Sequence, residues 1–159
     1  MSGSITLEPV ESQEQVAVAR ELFREYADAI GVDLEYQGFA TELEALPSPY
    51  APPHGTLLIA QINGDTAGCV ALRRLDNATG EMKRLYVRPA FRSQGLGKHL
   101  IEAAIQAARR AGYAGLRLDT LPSMAAAQGL YRKLGFTEIP AYNSSYLPGT
   151  RFYELQLPT

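Results

Sequence analysis

Apolar residues along this chain recur with two different periods, and the changes of period mark its elements. Residues 4–10 alternate as a first strand. Over residues 12–30, Val16, Ala19, Leu22, Phe23, Tyr26 and Ile30 fall at helical spacing, with Ser12 placed to cap the start and Gly31 to end it. A second, shorter helix is predicted over residues 36–46. The segment 46–55 carries prolines at positions 47, 49, 52 and 53, which block both helix and central strand, so it reads as a rigid loop. Three strands follow at about 56–62, 66–74 and 80–87, the first two joined by the turn signal Asn63-Gly64-Asp65. A helix over 95–111 places Leu96, Leu100, Ile101, Ala104, Ile105 and Ala108 on one face, and Arg109 and Arg110 suit its negative end. A strand at 115–119, a helix at 123–134 and strands near 136–139 and 151–157 complete the chain. The order β-α-α-β-β-β-α-β-α-β-β gives a hairpin meander running into one βαβ crossover. The expectation is an α/β fold with a mixed sheet, helices on both faces, and a single domain over residues 1–159.

Length and composition agree with that reading: 159 residues, 46% apolar and 20% charged, describe an ordinary globular chain. No apolar run approaches the roughly 20 residues that span a bilayer. The first residues lack the basic and apolar stretches of a secretory signal. One cysteine, Cys69, cannot form an internal disulfide, which fits a reducing cytoplasm. The net charge of −2 argues against nucleic acid as the main partner. Charge is unevenly spread, however. Residues 1–55 hold ten acids and two bases, and residues 56–159 hold seven acids and thirteen bases. Arg73, Arg74, Lys83, Arg84, Arg88, Arg92 and Lys98 crowd one stretch. Such a cluster suits a small polyanion or, equally, a solvated basic face; the acidic first third suggests a cationic acceptor.

The segment Arg92-Ser93-Gln94-Gly95-Leu96-Gly97-Lys98-His99 lies between a strand and a strongly amphipathic helix. Glycines there allow close backbone approach, and the free N–H groups of a helix start favour phosphate. Two nucleotide-binding patterns fail. A P-loop would need glycine at Arg92 and a hydroxyl at His99, and a dinucleotide fingerprint would need glycine at Leu100. The residues alone therefore give a phosphate-bearing ligand at a helix start.

With these motifs in order, the chain resembles the GNAT family of N-acetyltransferases. Arg92-x-x-Gly95-x-Gly97 is similar to that family's coenzyme A pyrophosphate loop. Glu81-Met82-Lys83-Arg84-Leu85-Tyr86-Val87-Arg88-Pro89 is similar to its fourth strand, and the stretch from Ala127 through Tyr131 to Phe136 to its later signature helix. The match runs over roughly residues 56–139. The resemblance implies a GNAT-like acyl-CoA N-acyltransferase fold and acetyl-CoA as cosubstrate. Backbone N–H groups of Gln94, Gly95, Leu96, Gly97 and Lys98 would hold the pyrophosphate, with Arg92 and Ser93 also in the cofactor-binding loop. The backbone around Leu85, Tyr86 and Val87 would pair with the pantetheine arm, with the Val87 N–H facing the thioester oxygen, where a donor stabilises developing negative charge. Tyr131 stands where the family's usual general acid stands. Many members carry asparagine seven residues earlier; here that residue is Met124.

Glu81 sits where some members place a carboxylate base. An amine must lose a proton before it attacks, and a buried carboxylate could accept it; a solvent-facing Glu81 paired with Lys83 is the other reading. Candidate acceptor-site residues by location are Glu35, Tyr36, Phe39, Tyr142, Asn143 and Tyr146, with Tyr153 beside them. Phe23 and Tyr26 read as core, and Cys69 as a core residue rather than a nucleophile. His54 and His99 have no metal-like spacing, so no metal is expected. The expected activity is acetyl transfer from acetyl-CoA to a small-molecule amine by direct attack in a ternary complex. The partners expected are therefore a small-molecule substrate and neither nucleic acid nor membrane, with a homodimer one possible assembly. A catalytically silent acyl-CoA-binding module and a protein acetyltransferase are the alternatives.

Overall fold

The computed structural model of the chain describes residues 4–144 and 146–158. Strand β1 (Ile5–Pro9) leads into α1 (Gln13–Ile30). The Ser12 side chain accepts from the Gln15 N–H and the Gln15 side chain reaches back to the Ser12 N–H, a reciprocal cap contributing about 1 kcal/mol. Gly31 ends the helix in the left-handed conformation. The predicted second helix is split. A 3₁₀ turn spans Leu34–Gln37, Gly38 interrupts it at φ 72°, and α2 runs Phe39–Ala45.

Then come β2 (Thr56–Ile62), β3 (Asp65–Asp76) and β4 (Thr79–Val87), an antiparallel meander. The β2–β3 turn is the two residues Asn63 and Gly64, at φ 52° and 85°. Both lie in the left-handed region that a tight right-twisted hairpin requires. Helix α3 (Leu96–Arg110) crosses to β5 (Gly115–Thr120), followed by α4 (Ala125–Lys133), β6 (Thr137–Ile139) and β7 (Arg151–Gln156). One seven-stranded sheet results, in the order β1-β2-β3-β4-β5-β7-β6, with β4–β5 its one parallel pair.

Alternation sends successive side chains of each strand to opposite faces. On one face, Val70, Leu72, Met82, Leu116 and Leu118 meet the apolar stripe of α3 and Tyr131 of α4. On the other, Leu57, Ile59, Cys69 and Ala71 meet Val16, Ala19, Leu22 and Phe23 of α1. Helices thus cover both faces, as the period-2 and period-3.6 patterns predict.

Two irregularities in β4 shape the molecule's centre. Between the pairs Cys69–Tyr86 and Ala71–Lys83, β3 advances two residues and β4 three, so β4 carries a bulge. Arg84 occupies it at φ 59°. The parallel pairing of β4 with β5 covers only Thr79, Gly80 and Glu81 against Gly115, Leu116 and Arg117. Beyond Glu81 the two strands separate, and the β5-facing edge of β4 is left without a backbone partner.

Candidate active site

The separation of β4 and β5 opens three connected spaces. The first is a cleft of ≈ 400 Å³ lined by Leu85, Tyr86, Val87, Arg92, Met124 and Leu130, with Tyr26 and Gly97 at its walls. The Arg88 N–H donates to Ala67 O on β3 at 2.8 Å. By alternation, the N–H of Val87 then points the other way, into the cleft. At one end of the cleft, Ser93 (φ 68°) and Gly95 (φ 79°) turn the chain so that Gly95 begins α3 with no side chain capping its first N–H groups. Uncapped donors at the positive end of a helix dipole form a site for phosphate. The groups present therefore fit a pyrophosphate followed by an extended, amide-bearing arm.

Tyr131 stands at the inner end. Its ring packs on Phe136 at 5.7 Å and Tyr153 at 6.1 Å, and the residue is 3% exposed. It reaches a second space, a gap of ≈ 20 Å³ shared by Tyr26, Lys83, Leu85, Asp119 and Met124. Tyr26, Leu85 and Met124 belong also to the cleft. Burial pushes the Tyr131 phenol well above its ordinary pKa of 10, and the negative charge of Asp119 adds to the shift. The phenol is thus a proton holder at every accessible pH.

The third space, also ≈ 400 Å³, lies across the sheet beneath α2 and the 46–55 loop. Its floor is charged. Glu81 is 1% exposed; its Oε1 accepts from Arg73 Nε at 2.7 Å and its Oε2 from the Tyr142 hydroxyl at 2.5 Å. Burial alone would raise its pKa, but the charges of Lys83 and Arg73 and the Tyr142 bond outweigh it, so the carboxyl lies below its ordinary value. Arg84 binds Glu42 through two hydrogen bonds, 2.9 and 2.7 Å, and Gln37 through a third at 2.9 Å. Its guanidinium also lies 5.7 Å from the Tyr26 ring and 5.4 Å from the Phe39 ring. Lys83 Nζ donates to Gln37 Oε1 at 3.3 Å.

The candidates from sequence divide accordingly. Leu85, Tyr86, Val87, Arg92 and Gly97 line the cleft; Ser93, Gln94, Gly95, Leu96 and Lys98 form its loop and helix start. The Leu96 side chain is core, so it offers only its backbone, and Lys98 Nζ lies 3.9 Å from Glu102 on the surface. Tyr36 and Asn143 line the third space, and Tyr142 borders it through Glu81. Glu35 does not face it: its carboxylate accepts from the Ala40 N–H at 2.7 Å, capping α2. Phe39 packs beneath Arg84, Tyr146 is 46% exposed with its ring on Phe152, and Tyr153 is buried beside Tyr131. Glu81 is not solvent-facing, because its partner is Arg73 rather than Lys83. Tyr26 is a wall of the cleft as well as a packing residue.

The basic stretch is not a single patch. Arg84 pairs with Glu42, Arg88 with Glu25 and Glu21, and Arg73 with Glu81. Three acids of the first third, Glu21, Glu25 and Glu42, are thereby paired with Arg84 and Arg88, so the net charge of that third is no guide to the acceptor's charge. Asp119, Arg73, Gln37 and Glu42 are site residues that sequence reasoning missed. The signal for Asp119 was its alternation with Arg117 on β5, which puts both on the face of Glu81 and Lys83.

A family model for the acetyltransferase (GNAT) family matches residues 17–136. The chain belongs to the GNAT family of acetyltransferases. An uncharacterised N-acetyltransferase of Schizosaccharomyces pombe is 34% identical over 98% of this chain and 96% of its own. A GNAT-family acetyltransferase of Staphylococcus aureus superposes with a TM-score of 0.82 at 25% identity, covering 98% of this chain and 100% of the other. A GNAT-family acetyltransferase of Elizabethkingia anophelis, solved with acetyl-CoA bound, shares the fold at a TM-score of 0.70 and 22% identity, over 96% and 98% of the two chains. The mixed sheet opened between β4 and β5 is thus the frame of a GNAT acetyltransferase. No helix is long and apolar enough to cross a membrane, and no three metal-ligating side chains cluster among the described residues.

Proposed function

We propose that this GNAT acetyltransferase transfers an acetyl group from acetyl-CoA to the amine of a small-molecule acceptor by direct attack. The observation that carries the reading is the junction at Tyr131, where an apolar cleft ending in an uncapped helix start meets a charged cavity. Acetyl-CoA supplies the thioester. The N–H groups of Gln94 through Lys98 hold its phosphates, and the free edge at Leu85 and Val87 pairs with the pantetheine amides. The Val87 N–H offers a donor where the carbonyl oxygen gains charge. The acceptor attacks as the free amine: the N–C bond forms as the C–S bond breaks, Tyr131 gives its proton to the departing sulfur, and the proton shed by the new amide nitrogen returns to Tyr131. Glu81, ionised and engaged at both oxygens, positions Arg73 and Tyr142 rather than collecting the amine's proton.

A cavity of ≈ 400 Å³ roofed by α2 suits a small acceptor better than a protein segment. The phenol at the junction supports an enzyme over a silent binding module. The test is thiol release from acetyl-CoA with a panel of amines, polyamines, amino acids and aminoglycosides. Release with at least one class at more than the hydrolytic background is expected. Acetyl-CoA binding with no release in any class would return the silent module.

A further inference from the structure

The cavity beneath α2 holds three charged side chains whose hydrogen-bonding capacity is unspent. Arg84 engages all three of its nitrogens on Glu42 and Gln37, and Glu81 both of its oxygens on Arg73 and Tyr142. Arg73 uses only its Nε on Glu81, so both terminal nitrogens remain. Lys83 makes one hydrogen bond among the described residues, 3.3 Å to the neutral Gln37 carbonyl, and has no carboxylate within ion-pair distance. The Asp119 carboxylate has no hydrogen bond or ion pair among the described residues. Yet all three line the cavity, and register puts them on one sheet face: Arg73 pairs with Glu81, Glu81 with Arg117, and Lys83 and Asp119 follow two residues on.

Their order along the cavity is also fixed. Asp119 and Lys83 line the narrow gap that contains Tyr131, whereas Arg73 lines only the outer space. A hydrogen-bonding anion is thus placed beside the junction, with two cationic donors beside it and beyond it. A half-buried ammonium with two idle donors and no carboxylate partner among the described residues is placed to receive an anion. Burial already pushes the Lys83 pKa below its ordinary value, against the pull of Glu81 and Asp119. A simple alkylamine leaves those donors idle, and a polyamine sets a second ammonium against Arg73.

We propose that the acceptor is an amine that also carries a carboxylate, with its amino group hydrogen-bonded to Asp119 near Tyr131 and its carboxylate on Lys83 and Arg73. This rests on the acetyl-transfer reading above and narrows its acceptor class to amino carboxylates.

The test compares α-amino acids, β-alanine and γ-aminobutyrate with their carboxamides and with the corresponding decarboxylated amines. Two readouts are used: thiol release from acetyl-CoA, and the melting temperature with free coenzyme A present. The parent should prefer at least one amino carboxylate over its carboxamide by about 10- to 100-fold in kcat/KM, the effect of one charged hydrogen bond. Lys83→Met should shrink that preference to within a few-fold, mainly through KM, while Lys83→Arg keeps most of it. Asp119→Asn should raise KM for acid and amide alike. Equal or better turnover of carboxamides or decarboxylated amines by the parent overturns the proposal and leaves acetyl transfer standing. A preference that survives Lys83→Met intact also overturns it. Lys83-dependent stabilisation by an amino acid, with no thiol release from any amine, supports the amino-carboxylate site and sinks the acetyl-transfer reading instead. The absence of both stabilisation and thiol release with every amino carboxylate overturns the proposal.

Discussion

Replacing Tyr131 by phenylalanine separates chemistry from packing at the one position where both meet. The ring contacts with Phe136 and Tyr153, at 5.7 and 6.1 Å, survive the change. Only the hydroxyl is lost, and it makes no hydrogen bond among the described residues while facing the ≈ 20 Å³ gap. Removing a hydroxyl that has no protein partner is close to neutral and can stabilise. The melting temperature should therefore hold or rise, by no more than about 4 °C per kcal/mol for a chain of this size. Turnover should nevertheless fall about 10²-fold, the usual loss for one positioned acid, which is about 2.7 kcal/mol of barrier. Acetyl-CoA affinity should stay within a few-fold. Because burial raises the phenol's pKa, the protonated form persists through the working range, and Tyr131 itself contributes no alkaline limb to the kcat profile. The assay is single-turnover thiol release at saturating acceptor, alongside a melting curve. Turnover within twofold of the parent, with chemistry limiting, refutes the role; a melting temperature lowered by 10 °C or so would show the hydroxyl to be structural.

Gly95→Glu should fold, since nothing lies within 4 Å of an added Cβ, but its φ of 79° costs a side chain about 1–2 kcal/mol. Its charge should abolish the stabilisation of about 2.7 kcal/mol that acetyl-CoA gives at 100 times its dissociation constant, and an undiminished thermal shift would contradict the loop assignment. Glu81 has a depressed pKa, so its contribution to stability is present above the unfolded value of about 4.3 and is lost as pH falls through the folded value. The melting-temperature gap between parent and Glu81→Gln should thus be widest near neutral pH and close below about pH 4; a gap independent of pH would count against the ion pair with Arg73. Glu42→Gln should destabilise by about 3–5 kcal/mol in urea denaturation, because it leaves the Arg84 cation, 2% exposed, with half its bidentate partner. Combining Arg84→Met with Glu42→Leu should recover much of that loss, and a purely additive double variant would show that the two residues do not act as a pair.

Periodicity was enough for the layout because most of it is local. The capped α1, the Asn63-Gly64 hairpin and the apolar stripe of α3 are each specified within a few residues. The loop from Arg92 to Lys98 was legible for the same reason. The acceptor cavity was not. Its walls come from α2, the 46–55 loop, β3, β4, β5 and the segment near Asn143, which only the fold brings together. Local roles also absorbed some candidates. Glu35 is spent on capping α2 and Tyr146 on covering Phe152, neither of which a residue's identity or position along the chain reveals. The uneven charge misled for a related reason: the acidic partners of Arg73, Arg84 and Arg88 lie 8 to 67 residues away, as in Arg73–Glu81 and Arg88–Glu21.

The bulge at Arg84 ties these features into one cause. A non-glycine residue at φ 59° is disfavoured by about 1 kcal/mol or more, and nothing in the local sequence asks for it. What holds Arg84 there is distant: two hydrogen bonds to Glu42, one to Gln37, and the nearby rings of Tyr26 and Phe39. α1 supplies Tyr26, α2 supplies Glu42 and Phe39, and the turn before α2 supplies Gln37. Pairing with β5 then ends at Glu81 and Arg117, and the backbone edge from Lys83 to Val87 is left for a ligand instead of a neighbouring strand. A regular β4 would keep its alternation past Lys83, continue the parallel ladder and close the passage between the two large cavities. The acidic residues of the first third are therefore more than counterions. Glu42 holds Arg84 in an otherwise unfavourable conformation at the edge of the opening where Tyr131, Asp119 and Lys83 meet.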